Sequence, residues 1–138
     1  MFARGITLLE LLVVLVVVGI LAALAIPAYQ HHLVRTNRAE AIGALQEVLS
    51  AQERFHLRHG RYAAEVEAAP PVGLGLSLAT QLYSVSISLA ADGQTFIVTA
   101  APVAGSRQSE DGECMNFSSD QRARRAISGR GNVEKCWR

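Results

Sequence analysis

Charge of one sign is scarce in this chain of 138 residues: 13 Lys and Arg face 12 Asp and Glu, a net of +1. A protein that holds nucleic acid through its overall charge carries a larger imbalance. Aromatic residues are only 6% of the chain, and none interleaves with the basic residues between Arg122 and Lys135. Cysteine is limited to Cys114 and Cys136, which excludes a dense disulfide scaffold. Gly73-Leu74-Gly75 lacks both the third glycine and the preceding strand of a dinucleotide fingerprint. Neither a phosphate loop nor a nucleophile elbow is present. Without a nucleophile and its base, paired carboxylates or a metal cluster, neither an enzyme nor a cofactor is expected.

Apolar residues, in contrast, are abundant and unevenly placed. They form 50% of the chain, yet 23 of them lie in the first 30 positions. The remainder has the composition of an ordinary soluble domain. One membrane-type segment followed by one small globular domain accounts for that division, and it excludes both intrinsic disorder and a multi-span protein. From Leu11 to Gln30 no residue is charged. A helix over 6–28 is about 34 Å long, enough to cross a bilayer core of about 30 Å.

Glu10 is the odd residue in this segment. An ionised carboxylate inside the apolar layer costs about 2.5–3.5 kcal/mol on insertion scales, so it calls for a partner. A cleaved secretory signal, with Ala23-Leu24-Ala25 as its small-residue site, leaves that cost unexplained and has a shorter apolar run. A plain signal anchor leaves the same question. Pro27 removes a backbone donor and predicts a kink near residues 23–27; it also fits as a marker of the end of the span, and both can hold together.

Gly5-Ile6-Thr7-Leu8-Leu9-Glu10, the long apolar run and Pro27 together resemble the N-terminal signal of type IV pilins and related pseudopilins. The resemblance implies that a prepilin peptidase cuts after Gly5 and that Ile6 becomes the methylated N-terminus. Phe is commoner than Ile at that position in the family. Cleavage removes Arg4 and leaves 12 basic against 12 acidic side chains. It also creates an α-amino group at Ile6, four residues from Glu10 in the same helix or on a neighbouring subunit. The resemblance implies the intersubunit pairing, which sets assembly register while apolar surface supplies cohesion. Its further implications are a leader at 1–5, a transmembrane and filament-core helix at 6–30 and a periplasmic globular domain at 31–138. The partners are then other pilin subunits, the peptidase and the inner-membrane assembly machinery. The resemblance further implies a protein that waits in the inner membrane and ends in an extracellular pilus serving adhesion, twitching motility or DNA uptake.

Downstream, Ile42, Leu45, Val48, Leu49 and Phe55 recur at spacings of three and four, which extends the helix to Gly60. Glu40, near Arg35, Thr36 and Asn37, is read as helping a local helix restart. His56 and His59 make half a metal site at most and are read as solvated or as capping the helix end. Residues 63–82, with Pro70-Pro71, form a loop. Tyr83, Val85, Ile87 and Leu89 alternate with serines and predict a strand, Asp92-Gly93 a turn, and residues 94–100 a returning strand. Further strands are expected over 114–117 and 124–127. The fold class is α+β, a long helix packed on a small antiparallel sheet.

Cys114 and Cys136, beyond a membrane segment, fit one disulfide; a metal site needs further ligands, and none stands at zinc spacing. Pilins carry a disulfide-bounded region at the C-terminus, and the resemblance implies the same here. Between the cysteines Arg122, Arg124, Arg125, Arg130 and Lys135 oppose only Asp120 and Glu134. Asp111-Gly112-Glu113-Cys114 and Cys136-Trp137 resemble the small minor pilins, among them the receptors of DNA uptake, which implies that this basic stretch holds DNA phosphates. A solvated loop with scattered ion pairs is the competing reading, and a type II secretion pseudopilin the rival machine.

Overall fold

The computed structural model describes residues 7–138, without the side chains of Pro27 and Ala28. The expectations for Gly5 and Ile6 therefore lie outside the described residues. Helix α1 runs over Leu8–His59 and is continuous past Pro27, so the proline does not end it. Thr7 Oγ1 accepts the Glu10 N–H at 3.2 Å, an N-terminal cap. The chain divides into two compact units, Met1–Leu33 and Val34–Arg138. In the first, the large apolar side chains from Leu8 to Ile26 are 49–84% exposed. A helix that is apolar all round has to be covered by something other than water.

The second unit is built around the other part of α1. Ala41, Leu45, Val48 and Phe55 are buried at helical spacing, and Ile42 and Leu49 flank them half-buried. They face strands β1 (Tyr83–Leu89), β2 (Phe96–Pro102), β3 (Phe117–Asp120) and β4 (Arg125–Ile127), antiparallel in the order β1-β2-β3-β4. Register Ile87↔Val98 and Ala100↔Phe117 places apolar side chains on one face. Tyr83, Phe117 and Trp137 then stack edge to face with centroids 6.0 and 5.7 Å apart. β1 has its expected limits, but β2 starts and ends two residues later than alternation predicts. β3 is displaced from 114–117 to Phe117–Asp120 because Cys114 belongs to the turn before it. A 3-10 helix at Arg107–Glu110 and a short helix α2 at Val133–Cys136 complete the unit.

Polar side chains at buried positions attach the connections to α1. Arg38, only 7% exposed, donates from Nε and Nη2 to both oxygens of Asp111 at 2.8 Å, and Nη2 also reaches Glu113 at 3.2 Å. The hydrogen bond to Asp111 holds the Arg38 guanidinium above its ordinary pKa, against desolvation. Gln108 donates to the Tyr83 hydroxyl and to the Val34 carbonyl. Burial pushes the Tyr83 hydroxyl up to about 12. Gln52 both accepts from and donates to the backbone of Ala63. Glu40 does not serve a helix restart; its carboxylate accepts the N–H groups of Gln81 and Leu82 at 2.8 and 3.0 Å, where the chain enters β1. Replacing Arg38 by Ala leaves Asp111 buried without its cation. Urea unfolding of the full-length chain in detergent, followed by Trp137 fluorescence, is expected to show a loss of about 3–5 kcal/mol. An Arg38→Met, Asp111→Leu double variant is expected to lose clearly less.

Candidate nucleic-acid interface

The disulfide predicted between Cys114 and Cys136 is closed, with Cα atoms 5.8 Å apart. It encloses the β3–β4 hairpin, the Gly129-Arg130-Gly131 turn and α2, and these three carry the five basic residues. Arg122 and Arg124 stand in the hairpin tip and Arg125 opens β4, all exposed. Arg130 and Lys135 are exposed on the turn and on α2. The structure gathers three of the five cations in one hairpin and puts the other two on separate elements of the same closed segment.

The tip is ordered by its one acid. Asp120 Oδ1 accepts the backbone N–H groups of Arg122 and Arg124, both at 2.9 Å, and Oδ2 accepts Nε of Arg124 at 2.6 Å. Ala123 donates its N–H to the Asp120 carbonyl at 2.9 Å, and its φ of +56° turns the chain back so that the Asp120 N–H meets the Arg124 carbonyl at 3.3 Å. An Asp that bonds to N–H groups two and four residues on is a local turn former. The Asp120-Gln121-Arg122-Ala123-Arg124 run carries that signal in the sequence, where charge counting treats Asp120 only as an opposing ion. Arg124 is thus paired, whereas Arg122, Arg125, Arg130 and Lys135 have no carboxylate within 4.0 Å among the described residues.

Packing fixes the rest. Arg125 lies over the Trp137 ring, 5.2 Å from its centroid, and the Trp137 indole N–H donates to the Ala126 carbonyl at 3.3 Å. Gly129 and Gly131 sit so close to the Glu113 backbone that a Cβ at Gly129 would overlap the Glu113 carbonyl, and one at Gly131 would approach its oxygen to 2.7 Å. Their N–H groups donate to the carbonyls of Cys114 and Glu113 at 3.1 and 2.7 Å, holding Arg130 between them. Only residues without a side chain permit this approach. Neither Trp137 nor these glycines was singled out from the sequence as part of a site.

Beside the tip a hollow of about 380 Å³ opens among Ser88, Leu89, Thr95, Ile97, Gln121 and Arg124. Elsewhere, His56 stacks on Tyr62 at 4.4 Å and His59 on Phe55 at 4.2 Å. Both rings of that candidate half-site are engaged in packing. His56 is half-buried and His59 exposed in the last turn of the helix.

A long helix whose first part is apolar on every side, an antiparallel sheet and a C-terminal disulfide segment are together the architecture of a type IV pilin. Comparison with known proteins agrees: residues 1–26 match the prokaryotic N-terminal methylation motif. Residues 27–118 match the family model described as type IV minor pilin ComP, DNA uptake sequence receptor. That match covers most of the chain, which therefore belongs to this family. The type IV major pilin protein PilE1 of Neisseria gonorrhoeae is 44% identical over 59 residues, 43% of this chain and 36% of that protein. Fimbrial protein EcpC of Eikenella corrodens is 32% identical over 97 residues, 70% of this chain and 61% of that one. The chain thus spans only about a third of the PilE1 sequence that it matches. A solved type IV pilin from Shewanella oneidensis superposes with a TM-score of 0.53 at 29% identity, covering 72% of this chain and 96% of that one. The family match ends at residue 118, two positions before the hairpin tip.

The Asp120 carboxyl lies below its ordinary pKa, held there first by the Arg124 backbone N–H, against desolvation, with the Arg124 guanidinium and the Arg122 N–H adding to the shift. A depressed folded value means that its contribution to tip order is complete above the unfolded value of about 3.9 and is lost as pH falls through the folded one. Amide exchange by NMR is expected to show the Arg122 and Arg124 N–H groups losing protection at a lower pH than the carboxylate titration of an unstructured Asp peptide.

Proposed function

We propose that this chain is a minor pilin that takes its place in a type IV pilus and binds duplex DNA through the phosphate backbone. The first unit serves assembly. The peptidase removes residues 1–5 after Gly5, and Ile6 becomes the methylated terminus. The helix over 6–30 leaves the inner membrane for the filament core, where the Ile6 amine of one subunit meets Glu10 of another. Pro27 loosens the helix for that transfer. Other pilin subunits and the inner-membrane assembly machinery are its partners, with residues 31–138 on the periplasmic side before assembly. The apolar surface of Leu8 to Ile26 supports this reading, because in the filament it is covered by the same segment of neighbouring subunits.

The observation that carries DNA binding is the set of four cations, Arg122, Arg125, Arg130 and Lys135, exposed and without carboxylate partners among the described residues on a disulfide-closed segment. Each phosphate neutralised adds about 0.9 to the slope of log affinity against log salt. Gel shifts of the full-length chain in detergent with duplex DNA are expected to show affinity falling steeply between 50 and 200 mM salt. Neutralising Arg122 and Arg130 together is expected to reduce that slope by about 2. No binding at low salt, or an unchanged slope, contradicts the reading.

Assembly is tested separately. Replacing Gly5 with a bulky residue is expected to leave the leader in place, visible by mass spectrometry. Glu10→Ala is expected to permit processing and membrane retention but to deplete the protein from sheared filaments. A normal filament abundance of that variant contradicts the assigned role.

A further inference from the structure

The five cations of the disulfide segment are not equivalent, and their differences sort them by the two tasks of DNA recognition. A phosphate contact needs only a positive charge within reach, and a flexible side chain serves it well. A contact to a base edge needs a donor pair held at a fixed position and angle, which in water a free arginine does not provide. Arg124 alone among the five has its guanidinium fixed by a carboxylate. Asp120 engages its Nε at 2.6 Å and, through the Arg124 backbone N–H at 2.9 Å, fixes the base of the side chain as well. Both Nη groups remain without a protein partner among the described residues, and the side chain is 71% exposed.

We propose that Arg124, buttressed by Asp120, reads guanine in the major groove of duplex DNA, while Arg122, Arg130 and Lys135 hold phosphates. The inference rests on the DNA-binding reading above. Two Nη donors facing outward match the O6 and N7 acceptors that guanine alone presents together in the major groove. The delivering element also fits. A groove about 12 Å wide admits a two-stranded ribbon, and the Asp120 to Arg124 tip is the end of such a ribbon, β3 paired with β4. The tip is stiff, since both oxygens of Asp120 are used within it. The hollow walled by Arg124 and Gln121 beside it leaves room for a groove edge to approach. Asp120 is a positioning residue: it touches no DNA itself, and it makes Arg124 poorer as a general cation but better as a reader.

The experiment is selection of duplexes from a randomised library by the full-length chain in detergent, with binding to a fixed random-sequence duplex measured alongside. The wild type is expected to enrich guanine at one defined position about tenfold or more over the other bases. Arg124→Lys keeps the charge but not the fork, and is expected to abolish that enrichment while leaving binding to the fixed duplex within about twofold. Asp120→Asn can still accept the Arg122 and Arg124 N–H groups through its amide oxygen but loses the ion pair. It is expected to lose the enrichment too, with equal or tighter binding to the fixed duplex. Arg122→Ala is expected to weaken binding to all sequences alike and to retain the guanine preference. Unchanged Trp137 fluorescence checks that each variant is folded. Wild-type binding without guanine enrichment overturns the assignment and leaves DNA binding standing, as does a preference that survives Arg124→Lys. Failure of the wild type to bind any duplex at low salt removes the underlying reading and the assignment with it.

Discussion

The bidentate ion pair between Arg38 and Asp111 is the constraint on which the rest of the globular unit depends. Two charges are removed from water there, and only close pairing with full hydrogen bonding makes that tolerable. The requirement fixes one point of the C-terminal chain against one point of the helix. The same Asp111 carboxylate lies 3.4 Å from the Cys114 N–H, so the register passes to the disulfide. From Cys136 it passes to Trp137, whose indole holds the Ala126 carbonyl and whose ring lies under Arg125. A buried ion pair between the helix and Asp111 thus helps to position a hairpin with which it shares no hydrogen bond among the described residues.

Other connections are attached on the same principle. Gln52 holds the start of the long loop, Glu40 the entry to β1, and Gln108 the turn before the disulfide. Gln52 and Gln108 satisfy buried backbone and hydroxyl groups that would otherwise go unpaired, at a cost of about 1–3 kcal/mol apiece, while Glu40 collects two N–H groups nearer the surface. Apolar contacts between Leu45, Val48, Phe96 and Phe117 supply the cohesion of the core. They do not specify which loop goes where, since apolar packing is non-directional. The polar pairs provide that direction, and they leave the outer segments free to carry charge.

Much of this is readable from the residues, and most of the exceptions share one cause. Periodicity located α1, with Gly60 in a left-handed conformation after its end, and alternation located β1 to the residue. The basic composition between the cysteines pointed to the right segment. What escaped notice were charged or polar residues whose partners are distant in sequence. Arg38 and Gln52 occupy the buried stripe of α1, where a pattern of apolar positions skips them. Glu40 looked local because its partners lie about 40 residues away. Asp120 was counted as one negative charge, whereas its geometry makes it the organiser of the tip. For Arg38, Gln52 and Glu40 the sequence shows the residue and only the fold shows the partner, whereas the partners of Asp120 are two and four residues away and its turn signal is local.

The two ends of the chain divide the work. An apolar helix suits burial among copies of itself, and a stapled, cation-bearing hairpin suits contact with a polyanion outside. The claim that joins them is that DNA is held by the disulfide-enclosed segment of a folded pilin and not by the sheet face or the helix. Hydrogen–deuterium exchange of the full-length chain in detergent, with and without duplex DNA, tests it most directly. Protection concentrated in residues 120–135, with none in Ser84 to Ser88 or Glu47 to Arg54, is the predicted result. Protection that falls on the helix or the β1 face while 120–135 stays unchanged would contradict it.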